Sequence, residues 1–234
     1  MKVDNLGPGY VAGLFSRAMT QFFPPCWLKN ALLRSILGWR IGKGVRIGHS
    51  QIEALDVDIG SGTVIGNGNR LVGLNSLSLG INVHIGISNT ITCNRKYAGS
   101  ADFIAGKNAG ILRGNILDVT GGIKLGSNVV LGGVGSQLWT HGFDIYRNRI
   151  EAPIVIGDNV YIGSGCLVNL GVKIPSETII GMGSVVAKSP ARTGCFWAGN
   201  PATLKGEGID FSLRSGLIER TTVGDARFYV KRVE

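Results

Sequence analysis

Histidine, cysteine and proline are all scarce in this chain of 234 residues, at three, four and seven. So few prolines exclude a collagen-like chain and a disordered Pro/Gly-rich chain, although glycine reaches 37. The cysteines, Cys26, Cys93, Cys166 and Cys195, lie far apart with no CxxC pair. No cleavable signal peptide precedes them, so a reduced, cytoplasmic chain is the expectation. Cys166 and Cys195 read as small buried hydrophobes rather than nucleophiles, since neither has a histidine beside it. Acidic residues are also few, 15 against 24 Lys and Arg, giving a net charge of +9. That balance favours anionic partners or a basic surface kept for solubility, and charge alone does not choose between them. No run is long and apolar enough to span a bilayer.

Set against these shortages is a repeat. Apolar residues followed by glycine recur every six positions: Ile41-Gly42, Ile47-Gly48, Ile59-Gly60, Ile65-Gly66, then after a shift Leu79-Gly80, Ile85-Gly86 and Ile91. Leu125-Gly126 and Leu131-Gly132 resume the phase, and Ile156, Ile162, Val168, Ile174, Ile180 and Val186 hold it unbroken. A helix wants apolar residues three and four apart and a lone strand wants them two apart, so a period of six is neither. It specifies an all-β solenoid of short strands and turns, in which each aliphatic points inward and stacks on its equivalent in the next coil.

Three parts follow from where the repeat starts and stops: a helical capping segment over 1–40, the β-helix over 41–205, and a tail over 206–234. Residues 11–39 are expected to form two helical pieces broken at Pro24-Pro25. The second would carry Leu28, Leu32, Leu33 and Ile36 on one face, with Lys29 and Arg34 on the other side. Such a helix caps the open end of the solenoid, or offers a basic amphipathic surface to a membrane. Two stretches break the rhythm, 92–110 and 137–153, and are expected to leave the coil as loops, where chemistry concentrates. The second holds Trp139, His141, Asp144, Tyr146, Arg147 and Arg149.

The hexads, THGFD at 140–144, APIVIGDNVYIGSG at 152–165, IIGMGSVV at 179–186 and AGNPA at 198–202 resemble the hexapeptide-repeat acyltransferases. The likeness is nearest to the maltose, galactoside and polysaccharide O-acetyltransferase branch and spans about 41–205. It implies a left-handed parallel β-helix, a homotrimer with active sites between subunits, and acetyl-CoA as donor. By motif position the histidine of that branch falls on His141, and the asparagine that contacts the acceptor falls on Asn115. On the donor side the resemblance implies backbone groups at Ser164 and Met182 along the pantetheine arm. Lys188 and Lys205 would lie near the phosphates of CoA, with Asn200 and Pro201 of the AGNPA loop beside the adenine.

The chemistry that the likeness implies supports the same histidine. A sugar hydroxyl is a poor nucleophile towards a thioester, so the reaction needs a base that works near neutral pH, and imidazole is the natural one. His49 and His84 sit inside hexads and read as surface or stacking residues. An imidazole base usually has its other nitrogen held by an acceptor, for which Asp118, Asp144 or a backbone carbonyl are candidates. Trp139 would stack on a sugar face or anchor its loop.

The expected activity is therefore O-acetylation of a sugar, with a surface polysaccharide or its lipid-linked precursor as acceptor. The protein would lie in the cytoplasm, with contact at the inner membrane face through the N-terminal segment. No nucleic-acid partner and no metal are expected. An N-acetyltransferase of amino sugar nucleotides or a serine acetyltransferase would use much the same solenoid, and a scaffold without chemistry is the non-enzyme rival. A zinc carbonic anhydrase on such a helix would need a close histidine pair that positions 49, 84 and 141 do not form.

Overall fold

The computed structural model describes residues 13, 16, 18–20, 26–93, 99–211, 216–223 and 226–232, with the strands in 216–232 described by their backbone. The expected helical piece before Pro24 and the residues 94–98 of the first loop fall mainly or wholly outside these.

Each six-residue unit supplies one short strand, and three units complete a coil. Strands of successive coils pair in parallel, so the chain builds three ranks of strands around one apolar interior. The first rank stacks Ile41, Ile59, Leu79, Ala105, Leu125, Ile156 and Ile174. The second stacks Ile47, Ile65, Ile85, Ile111, Leu131, Ile162 and Ile180. The third stacks Ile52, Leu71, Ile91, Leu117, Leu138, Val168 and Val186. All are buried; each full-sized aliphatic stabilises the coil by roughly 1.5–3 kcal/mol when wholly removed from water.

The turns have their own ladders. After the first rank, Asn82, Asn108, Asn128 and Asn159 take left-handed φ of 56–58°, a conformation asparagine tolerates better than most residues. Their side chains stack as amide pairs, Asn108 to Asn128 at 3.0 Å and Asn128 to Asn159 at 2.9 Å. After the second rank glycine is required by contact. A Cβ on Gly86 would collide with the carbonyl oxygen of Leu112 in the next coil.

The 92–110 stretch is not the single long loop expected. Asp102–Ala105 is a first-rank strand between Ser76–Leu79 and Ile123–Leu125, with Phe103 and Ala105 buried. Ala105, Ile111 and Leu117 continue the six-residue phase; alanine in place of a large aliphatic hides the rung in the sequence. In the second stretch Gln137–Leu138 still belongs to the third rank, and the excursion is the remainder.

Helix α1, Cys26–Leu37, lies at the amino-terminal end of the coil. Leu33 is buried and Leu28 and Leu32 are half-buried, but Ile36 is 56% exposed, so the expected apolar face is narrower by one position. Its polar residues turn inward instead. Lys29, only 3% exposed, donates Nζ to the Ile47 carbonyl at 2.7 Å. Asn30 donates to the Val45 carbonyl at 2.9 Å and Arg34 donates to the Ile41 carbonyl at 2.8 Å. These groups satisfy carbonyls of the first coil that have no preceding coil to pair with. At the other end Thr203–Gly206 folds back antiparallel on Cys195–Ala198, and the backbone of Gly216–Val223 and Ala226–Arg232 forms a separate hairpin.

Candidate active site

Gly99 and the hairpin that begins at His141 both lie at the kind of turn that follows the third rank. The turn 118–121 lies between them: the amide of Gly99 donates to the Thr120 carbonyl at 3.2 Å, and that of Gly121 to Thr140 Oγ1 at 2.9 Å. The second excursion is a hairpin, His141–Phe143 against Arg149–Glu151, with His141 opposite Glu151. His141 is its first residue and so sits where hairpin meets coil.

That position brings the imidazole to Asp118. His141 Nδ1 lies 2.9 Å from Asp118 Oδ1, with the histidine side chain 30% exposed and the aspartate 11%. An ionised carboxylate only accepts, so the proton of a neutral ring sits on Nδ1 and the lone pair on Nε2. No hydrogen bond to Nε2 forms among the described residues. The arrangement is a base whose working nitrogen is open and whose other nitrogen is anchored. The carboxylate is itself held: Thr140 Oγ1 lies 2.8 Å from Oδ1 and Thr120 Oγ1 lies 3.0 Å from Oδ2. The Trp139 ring stands edge-on to the imidazole, centroids 6.2 Å apart, and its Nε1 donates to Gln137 Oε1 at 3.0 Å.

Two residues expected on the acceptor side have partners other than His141. Asn115 is fully buried in the coil, where its Oδ1 accepts from the Ser136 amide at 3.0 Å and its Nδ2 donates to Asn89 Oδ1 at 3.3 Å. It is one step of an interior polar ladder through Asn69, Asn89, Asn115 and Ser136. Asp144 does not touch His141 either. Its carboxylate closes the hairpin tip, accepting from the Asn148 side chain at 2.9 Å and from the Tyr146 and Asn148 amides at 2.8 Å. The Asn148 side chain and those amides hold it below the usual carboxylate range.

The donor-side residues gather elsewhere. Ser164 and Met182 stack at the turn after the second rank, where the Gly183 amide donates to the Ser164 carbonyl at 2.8 Å, and Asn200 and Pro201 form the next turn of the same edge. Met182 is 79% exposed. Lys205 is exposed on Thr203–Gly206, and Lys188 is exposed at the turn after the third rank, the His141 type. One chain therefore brings His141, Asp118 and Trp139 together, and Ser164, Met182 and Asn200 together, but not the two sets. Cys166 and Cys195 are buried, and burial pushes the Cys166 thiol up, away from nucleophile use. Among the described residues no three metal-ligating side chains converge, and no helix is long and apolar enough to cross a membrane. Sequence reasoning missed Thr120 and Thr140; the placement of Thr140 directly before His141 was the available signal.

This combination, a three-sided coil of hexads with a histidine–carboxylate pair where a hairpin leaves it, defines the hexapeptide-repeat, left-handed β-helix class. The chain has that fold and is similar to acetyltransferases that share it. No family profile matches it. Galactoside O-acetyltransferase of Escherichia coli (strain K12) is 31% identical over 111 residues, 47% of this chain and 47% of that protein. The chain thus matches about half the length of that curated relative. In fold it is similar to a maltose O-acetyltransferase from Clostridium difficile 630, at 21% identity and TM-score 0.51 over 86% of this chain and 85% of that one. It is also similar to a polysialic acid O-acetyltransferase, at 22% and 0.54 over 73% and 82%. A hexapeptide-repeat acetyltransferase of Vibrio cholerae solved with acetyl coenzyme A gives 18% and 0.51 over 89% and 94%.

Proposed function

We propose that the protein is an O-acetyltransferase that moves an acetyl group from acetyl-CoA to a sugar hydroxyl, and that a surface polysaccharide or its precursor is the acceptor. The observation that carries this reading is the His141–Asp118 pair with Nε2 open. Nε2 takes the hydroxyl proton as the hydroxyl oxygen attacks the thioester carbonyl carbon. The tetrahedral oxyanion collapses, the C–S bond breaks, and the proton held on His141 passes to the CoA thiolate. The ring is then neutral again, and no acyl-enzyme forms. The doubly protonated ring is stabilised by the Asp118 carboxylate, and Trp139, 39% exposed beside it, offers a face for a sugar ring.

The two separated clusters support an assembly of copies. Exposed Ile87, Leu112, Val134 and Met182 lie along the turns that carry Ser164; packing that apolar edge against the His141 turn of a neighbour completes each site, as a homotrimer does. The polysaccharide reading is in keeping with the polysialic acid O-acetyltransferase to which the fold is similar. Trp27 and Ile36, 72% and 56% exposed on α1 near Arg34, support contact of a cytoplasmic protein with the inner membrane face.

The test is incubation with acetyl-CoA and a panel of oligosaccharides, amino sugar nucleotides and serine, reading free thiol and the acylated product. An ester on a sugar is the result expected. An amide product would replace the reading with N-acetyl transfer, and acylated serine would replace the sugar.

A further inference from the structure

Asp118 is more tightly held than a carboxylate serving one histidine needs. Thr140 is completely buried and Thr120 is 1% exposed, and both hydroxyls reach it. Thr140 Oγ1 accepts from the Gly121 amide and has one proton to donate, with Asp118 Oδ1 and the Asp118 carbonyl oxygen both at 2.8 Å. The carbonyl alone would satisfy that hydroxyl. Thr63, equally buried, is satisfied in that way, donating to the Gly80 carbonyl and accepting from the Val83 amide. Thr120 supplies Oδ2 with a hydroxyl donor at 3.0 Å, and its amide stands 3.4 Å from Oδ1.

The consequence is chemical as well as geometric. The terminal torsion of an aspartate is broad and roughly two-fold, so a carboxylate with one partner rotates. A ring facing a rotated carboxylate loses the reason to keep its proton on Nδ1, and with the other tautomer Nε2 is a donor rather than a base. Donors on both oxygens pin the torsion.

Resting on the proposed function above, we propose that Thr120 and Thr140 are positioning residues, which lock Asp118 with Oδ1 towards His141 and so keep the lone pair of that ring on Nε2 for the acceptor hydroxyl.

The test replaces each threonine by valine, singly and together, and by serine. The ring nitrogens of His141 are read by 15N NMR, assigned with His141→Gln, alongside kcat and KM. In the parent chain the Nδ1–H tautomer is expected alone. In Thr120→Val/Thr140→Val a mixture is expected, with kcat down about tenfold or more and KM for acetyl-CoA within about twofold; serine at both positions restores ring and rate. An unchanged tautomer and kcat in the double variant, with only the melting temperature lowered, would overturn the proposal. Should the double variant not fold, Thr120→Val, which leaves the Gly121–Thr140 bond intact, decides on the same two readings. If the parent transfers no acetyl group, the proposed function fails, and the NMR comparison still decides the role of the threonines.

Discussion

His141 and Asp118 are separated by one full coil and two residues in the chain and by 2.9 Å in space, Nδ1 to Oδ1. Their meeting depends on register: Ile116 pairs with Gln137 and Leu117 with Leu138, which sets Asp118 and Trp139 at equivalent places as the chain turns towards His141. Asp118→Asn keeps the shape but presents an amide that can donate to Nδ1, favouring the tautomer in which Nε2 carries the proton. We expect kcat to fall about 10²- to 10⁴-fold with the fold intact; steady-state kinetics beside circular dichroism checks this. A loss below threefold would mean that the carboxylate is not what orients the ring.

Asn115→Ala separates the two roles considered for that residue. As a step of the buried ladder it should lower stability by about 1–3 kcal/mol, because the Ser136 amide loses its acceptor and Asn89 Oδ1 loses one of its two donors at residue 115. KM for the acceptor should not change. Thermal unfolding and acceptor titration distinguish this from a binding role, which would raise KM at unchanged melting temperature.

That residue also shows where the sequence stopped being legible. Six-residue periodicity reveals inward aliphatics, and so the ranks through Ile156, Ile162 and Val168 could be read directly. It says nothing about polar residues that turn inward at the corners, which is why Asn115 resembled a ligand contact. A rung built on Ala105 vanished from the pattern because alanine carries little hydrophobic signal, so part of the coil was read as loop. His141 was identifiable because there are only three histidines and one lies outside the hexads. Asp118 could be narrowed only to one of several acceptors, since the choice between it and Asp144 rests on a hairpin tip that consumes all of the Asp144 carboxylate. Helical periodicity places Lys29 and Arg34 on the side away from the leucines, and it cannot see that the carbonyls of Ile47 and Ile41 at the end of the coil are there to accept from them.

Lys29→Met tests that cap. Methionine keeps most of the apolar length while removing the donor to Ile47 and Gly48. A loss of about 1–3 kcal/mol is expected for removing a buried charged donor from its carbonyls, read as a fall of several degrees in melting temperature with kcat unchanged. A melting temperature equal to the parent's would show that the ammonium contributes nothing at this end.

Asp144 gives the tip of the hairpin a pH dependence. Its folded-state value lies below the ordinary one, chiefly through the Asn148 side chain. The ionised form therefore favours the closed tip at every pH above the unfolded value of about 3.9, and this contribution is lost as pH falls through the depressed value. The amide resonances of Tyr146 and Asn148 should hold their positions from neutral pH to about pH 4 and move only below it. In Asp144→Ala they should sit at the open-tip positions throughout. Movement centred above pH 4 in the parent would contradict the assignment.

The most direct measurement is acceptor-dependent release of CoA thiol by the parent chain and by His141→Ala, each shown to be folded by its melting curve. The account predicts a release rate lower by about 10²- to 10⁴-fold in the variant, the range a positioned general base contributes. Equal rates in the two proteins would contradict it, because the one imidazole set between Asp118 and an open Nε2 would then have no part in the transfer.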